Sequence, residues 1–105
     1  MQRAKGSRGQ REASAVLTSH GYHVSPLTCG AKVEDLIAEW DGSMWSVEVK
    51  YHARANWGEF MRQAKEQAHK TGMPWMLMVR IPERPHTFVV LTADDVRIMR
   101  LKEAS

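Results

Sequence analysis

At 105 residues, 43% hydrophobic and 26% charged, the chain has room for one domain around one core and the balance of an ordinary soluble protein. No apolar run approaches membrane-spanning length, the basic start leads into no apolar signal region, and the single Cys29 excludes a disulfide framework or a cysteine-built zinc cluster. The net charge of +3 (pI near 9.3) is modest but unevenly placed, because Arg3, Lys5, Arg8 and Arg11 all precede the first acid, Glu12.

A basic segment opening a small domain suits an anionic polymer, so residues 1–9 are read as a basic, flexible arm that binds nucleic acid. The spacing of Ala13, Val16 and Leu17 predicts a helix over Gln10–His20, closed by Gly21. Tyr22–Leu27 reads as a strand that Pro26 marks as an edge or an early finish. Leu36, Ala38 and Trp40 alternate with Asp35, Ile37 and Glu39. Beyond Asp41-Gly42, Trp45, Val47 and Val49 alternate with Ser46, Glu48 and Lys50. Two alternating runs joined by Asp-Gly predict a hairpin. Trp57, Phe60, Met61, Ala64 and Ala68 predict a second helix ended by Gly72 and Pro74. Trp75–Ile81 and Thr87–Leu91 read as paired strands, and Thr92 with Asp94 and Asp95 reads as the start of a short last helix. The sum is an α/β (α+β) sandwich with a mixed sheet.

The chemistry sits on the hairpin. Asp35 opens its first strand, and Glu48 and Lys50, two apart near the end of the second, point to one face. Glu-x-Lys alone is common on solvated strand faces. Here it lies between the most apolar segments of the chain, where two acids beside an amine suit a divalent ion. Mg²⁺ takes hard oxygens and keeps several waters, so Asp35, Glu48 and the carbonyl of Val49 would suffice. Lys50 would orient the attacking water and steady the transition-state charge. Glu12 is the nearest helical acid in chain order. Gln63 and Gln67 lie four apart and share a helical face. Arg54 and Trp57 pair a cation with an aromatic ring that could stack on an exposed base. His52 lies two past Lys50 and could line the site, and no histidine pair has zinc-ligand spacing. Trp40, Trp45 and Trp75 fall in strand patterns and are read as core.

With these residues in place, the chain resembles the PD-(D/E)xK nuclease superfamily, and within it the archaeal and phage Holliday-junction resolvases. The resemblance runs from Lys5 to about Val96. It rests on Lys5-Gly6-Ser7-Arg8 leading into an Arg-Glu helix, Gly21-Tyr22, Asp35-Leu36-Ile37-Ala38, Val47-Glu48-Val49-Lys50, and Gly72-Met73-Pro74 before an apolar strand. It implies a restriction-endonuclease-like core with a central mixed five-stranded sheet flanked by helices. It also implies Asp35, Glu48 and Lys50 as the catalytic core, Mg²⁺ or Mn²⁺ as cofactor, no nucleotide cofactor, a two-fold homodimer, and a cytoplasmic setting in a bacterial, archaeal or phage-infected cell. Two positions depart from the pattern. Glu34 stands where a proline is usual, and the resolvases' helical glutamate aligns with Gln10 while Glu12 falls two places later. The reading adopts Glu12 and keeps Gln10 as the alternative.

The sequence thus predicts a metal-dependent endonuclease acting on branched DNA, with a four-way junction as the first substrate to expect. Arg3, Lys5, Arg8, Arg11, Arg54, Trp57 and Gln63 are the expected DNA contacts. A flap-cutting or nicking enzyme with the same chemistry, and a non-catalytic DNA-binding module with the same fold, are the rival readings. The apolar strand from Trp75 and the methionine-bearing second helix are candidate dimer elements.

Overall fold

The structure is a computed structural model that describes residues 2–29, 32–51 and 56–102, and side chains for 8–26, 36–51 and 56–102. In chain order the elements are α1 (Gln2–Ser19), β1 (His23–Cys29), β2 (Lys32–Trp40), β3 (Ser43–Lys50), α2 (Trp57–Thr71), β4 (Trp75–Arg80), β5 (Thr87–Thr92) and β6 (Val96–Arg100). They build one six-stranded sheet in the order β1-β2-β3-β4-β5-β6. Only β3 and β4 run parallel; the other neighbours are antiparallel. The parallel step needs a crossover, and α2 supplies it.

Each helix covers one face. Ala13, Val16 and Leu17 of α1 pack on Leu36, Ala38, Val47, Met76, Met78, Phe88, Val90 and Met99. On the other face Phe60 and Ala64 of α2 pack on Leu77 and Val79. Strand alternation sends successive residues of β4 to opposite faces, and residues 76–80 are all buried. That places β4 in the chain's own core. The unbroken apolar run Met76-Leu77-Met78-Val79 is what a strand covered on both faces requires.

The β2–β3 hairpin pairs Trp40 with Ser43 and Leu36 with Val47. Its two-residue turn has Asp41 at φ 51° and Gly42 at φ 82°, the paired positive φ values that suit the twist of the strands. α2 starts at Asn56, whose side chain accepts from the Glu59 amide at 3.2 Å, and stops at Gly72, which is left-handed at φ 73°.

Four expectations are corrected. The sheet has six strands, not five. The extra one is β6, where a helix was expected after Thr92. The Thr92 hydroxyl does accept from the Asp94 amide, at 3.4 Å, but the Thr92 amide donates to the Asp95 carbonyl at 2.8 Å. That closes a turn between antiparallel strands instead of opening a helix. Val96, Ile98 and Met99 then serve strand faces, Met99 buried and the other two exposed. α1 also begins at Gln2, not Gln10, so residues 2–9 extend the helix. Finally, Trp40 is 52% exposed, because it lies at the turn end of the hairpin, beyond the cover of α1. Among the described residues no helix is long and apolar enough to cross a membrane.

Candidate active site

Glu48 and Lys50 lie on the α2 side of β3, in register with Leu77 and Val79 of the parallel neighbour. The ammonium Nζ of Lys50 stands 3.2 Å from Glu48 Oε2, with side chains only 19% and 14% exposed. It also donates to Gln63 Oε1 on α2 and lies 5.5 Å from the centre of the Phe60 ring. The Gln63 amide is held at both ends, because its Nε2 donates to Glu59 Oε1 at 3.2 Å. That fixes which way the amide points: oxygen to the lysine, nitrogen to the acid. Glu59 is in turn gripped by Arg62, whose Nε donates at 3.0 Å to Oε2 and whose second nitrogen reaches Oε1. These donors, Arg62 before Gln63, hold the Glu59 carboxyl at a pKa of about 2, well below its ordinary 4.5. Glu48, Lys50, Gln63, Glu59 and Arg62 therefore form one continuous polar chain from the sheet to the surface of α2.

Asp35 lies in β2 immediately before Leu36, which pairs with Val47. Its backbone thus sits beside the strand end that carries Glu48; its side chain lies outside the described set. Between the pairs Leu27–Asp35 and Thr28–Val33 the register shifts, leaving Glu34 as the extra residue of a bulge. A bulge is one of the few strand positions that tolerate proline.

Glu12 goes elsewhere. Its Oε2 accepts from Arg80 Nε at 2.7 Å, with side chains 15% and 9% exposed. Arg80 also donates to the carbonyls of Ile81 and, at 2.5 Å, Arg84, and its guanidinium lies 5.4 Å from the Tyr51 ring centre. The structure therefore brings Gln63 to Lys50 and joins Glu12 to Arg80. Gln10 is half-buried on α1. Arg8 and Arg11 are exposed, and Arg3 and Lys5 lie in the first part of α1 with side chains outside the described set. Trp57 is the first residue of α2 and is 39% exposed. Arg54 and His52 lie outside the described residues. Sequence reasoning missed two participants. Glu59 was findable, since it stands four residues before Gln63 and three before Arg62 on a predicted helix. Arg80 carried no local signal: it simply ends an apolar run.

Among the described residues no group of three or more His, Cys, Asp or Glu side chains gathers as a ready metal cage. The donor chemistry of Glu48 nevertheless suits a small hard cation. Mg²⁺ needs only one or two carboxylates with a carbonyl and waters, and Glu48 and Val49 are half-buried at the strand end beside the backbone of Asp35.

The six-stranded mixed sheet with a helix on each face is the restriction-endonuclease-like fold, the class expected from sequence. The chain is similar to the Holliday junction resolvase Hjc of the archaeal hyperthermophile Archaeoglobus fulgidus, with a TM-score of 0.57 over 89% of this chain and 87% of that one. The two sequences are 14% identical, so the likeness establishes the fold alone. At that level it agrees with the resemblance to PD-(D/E)xK nucleases seen in the motifs. No family model and no curated protein sequence matches the chain.

Proposed function

We propose that this protein is a divalent-metal-dependent endodeoxyribonuclease that cuts branched DNA, with the four-way junction as its substrate. The observation that carries the reading is the Glu48–Lys50 pair on one face of β3, clasped by Gln63. Two acids and a lysine at a strand end are costly without a metal and an anionic substrate to satisfy them. Asp35, Glu48 and the Val49 carbonyl would hold Mg²⁺ or Mn²⁺, which supplies Lewis-acid stabilisation of charge on the phosphate oxygens. Lys50 donates to Gln63 and is ion-paired with Glu48, and a further N–H of its ammonium would orient the attacking water or steady the developing charge. Gln63 keeps that ammonium over the strand, and Glu59 keeps Gln63 in the required orientation. Glu12 is assigned to Arg80, so the catalytic set is Asp35, Glu48 and Lys50.

Junction selection follows from shape and charge, since no base-reading element is present in the motifs. Resolution needs paired nicks on opposite strands, which a two-fold homodimer presents to a near-two-fold substrate. The test is cleavage of a labelled four-way junction beside a matched linear duplex, in Mg²⁺ and in Mn²⁺. Symmetric nicks in the junction alone are expected. Equal cutting of both would remove junction selectivity, and tight binding without cutting in either metal would favour a DNA-binding module.

A further inference from the structure

The cations on this surface are of two kinds. Arg62 is neutralised by Glu59 and Glu66, Arg80 by Glu12 and Arg97 by Asp95. Arg84, Arg100 and Lys102 are exposed and form no ion pair among the described residues. These three, with His86, line one pocket of about 470 Å³, where Glu83 is the one acid among the described residues. The pocket lies between the β4–β5 turn and the end of β6.

Its frame is fixed from beneath. The buried Arg80 guanidinium donates to the carbonyls of Ile81 and Arg84, which ties the turn to the Glu12 ion pair under α1. The Thr87 hydroxyl donates to the Pro85 carbonyl at 3.0 Å, and the Leu101 amide donates to the His86 carbonyl at 3.2 Å. His86 takes φ 51°, in the left-handed region, which turns the chain sharply into β5. Arg84 and His86 thus lie on a turn whose backbone is pinned at several points, and Arg100 and Lys102 stand beside it at the end of β6.

Strand register gives the pocket's place. Lys50 aligns with Val79, Val79 with Val89, and Val89 with Ile98, so the Lys50 end of β3 and the Arg100 end of β6 are the same end of the sheet. Arg100, two residues past Ile98, falls on the sheet face that carries Glu48 and Lys50. Three strand spacings of about 4.8 Å separate β3 from β6, or roughly 14 Å. On B-form DNA that is about four base pairs at 3.4 Å each.

From this arrangement we infer that the Arg84–His86–Arg100–Lys102 pocket is a second DNA site, which grips backbone phosphates of a duplex arm about four base pairs from the bond held at Glu48 and Lys50. The inference rests on the nuclease reading for its substrate class, but its test does not depend on cleavage. Phosphates are the right ligand because Arg84, Arg100 and Lys102 are exposed, cationic and without any base-reading pattern. The pocket acts on affinity and on the direction in which the arm leaves the catalytic centre.

The experiment is fluorescence anisotropy of a labelled four-way junction and a labelled duplex, titrated with the full chain in Ca²⁺ over a range of KCl. It compares wild type, R84A/R100A/K102A, R84K/R100K, and R97A as a control for an already neutralised cation. The triple variant should weaken binding to both DNAs and lower the slope of log K against log salt by roughly two to three, about one per lost phosphate contact. R84K/R100K should keep the wild-type slope, because charge and not fork geometry is needed; R97A should be unchanged. A triple variant that is folded by circular dichroism and keeps the wild-type slope overturns the pocket. Wild-type cleavage in Mg²⁺ with that same unchanged slope would leave the nuclease reading standing and sink the pocket alone. Loss of slope in a protein that never cuts DNA would do the reverse. Absence of any DNA binding by wild type would overturn both.

Discussion

Glu12 and Arg80 meet at 2.7 Å on the side of the sheet that α1 covers, while Glu48 and Lys50 face α2. An acid that the chain order offered to the catalytic centre is instead the partner of a buried guanidinium. The same guanidinium lies over Tyr51, the residue after Lys50, and holds the carbonyls of the β4–β5 turn. One ion pair therefore joins α1, the end of β3 and the turn that carries the basic pocket. Its role is to fix relative position.

That role predicts how Glu12→Gln behaves. Removing the carboxylate leaves Arg80 largely buried with its charge unpaired, which costs roughly 3–5 kcal/mol when a buried pair is broken from one side. Urea denaturation should show that loss. E12Q/R80M should recover much of it, because the stranded charge is gone. Cleavage by E12Q, measured well below its melting temperature, should stay within a few-fold of wild type. A loss in E12Q as large as that in a Glu48 variant, with stability intact, would return Glu12 to the catalytic set.

Asp35→Asn and Glu48→Gln should behave oppositely. Each removes a charge proposed to meet the metal, and Glu48→Gln also leaves the half-buried Lys50 ammonium without its carboxylate, so each variant is assayed well below its own melting temperature. Junction cleavage should fall by at least about 10²–10³-fold, the scale for losing a group that meets charge in the transition state. Junction binding in Ca²⁺ should be kept or tightened, since a negative charge near the phosphates is lost while the basic surface remains. Full activity in either variant would remove the metal-centre assignment.

The parts of this fold that show in the sequence are those whose local and tertiary demands agree. The β2–β3 hairpin is written twice, in the alternation around Glu48 and Lys50 and in Asp41-Gly42, and both residues take the positive φ that the turn needs. α2 is legible from its apolar stripe and from Gly72. β6 was hidden because Thr92-x-Asp94-Asp95 is also good helix-start chemistry, and Val96, Ile98 and Met99 are too few to settle a period. The first part of α1 was hidden for the opposite reason. Residues 2–9 contain two glycines and almost no apolar residue, so propensity argues against a helix. Packing overrides it at Gly9, where a Cβ would come within 3.3 Å of Tyr51, so the glycine lets α1 lie close on the end of β3. The site divides in the same way. Glu48, Lys50 and Gln63 follow from strand and helix periods, whereas Arg80 reaches Glu12 across 68 residues, a distance no local pattern spans.

Gln63 gives a prediction separate from both carboxylates. Its oxygen accepts from Lys50 and its nitrogen donates to Glu59, so Gln63→Leu keeps the volume and removes both bonds. Lys50 then loses the contact that holds it over the strand. A reacting group displaced by about 1 Å can cost 10²-fold, so kcat should drop roughly 10–10²-fold while KM moves little. Gln63→Glu should keep the hold on Lys50 while setting a carboxylate against Glu59. An unchanged kcat in Gln63→Leu would show that the amide is a passive surface group.

The last prediction concerns acid. The carboxyl of Glu59 is held at about 2 by Arg62 and then by Gln63, below its ordinary 4.5. A group whose pKa is depressed by folding stabilises the fold above its unfolded value, and that contribution is lost as pH falls through the folded value. The window here is therefore from about pH 4.5 down to about pH 2. The Glu59 carboxylate is exposed, so its contribution is small and screened by salt. Melting temperatures of wild type and Glu59→Gln should converge as pH drops through that window, because the wild-type advantage exists only while the carboxylate is charged. Raising KCl should shrink the gap at pH 6. A gap that stays constant from pH 6 to pH 2 would mean that packing, and not the ion pair with Arg62, is what Glu59 contributes to α2.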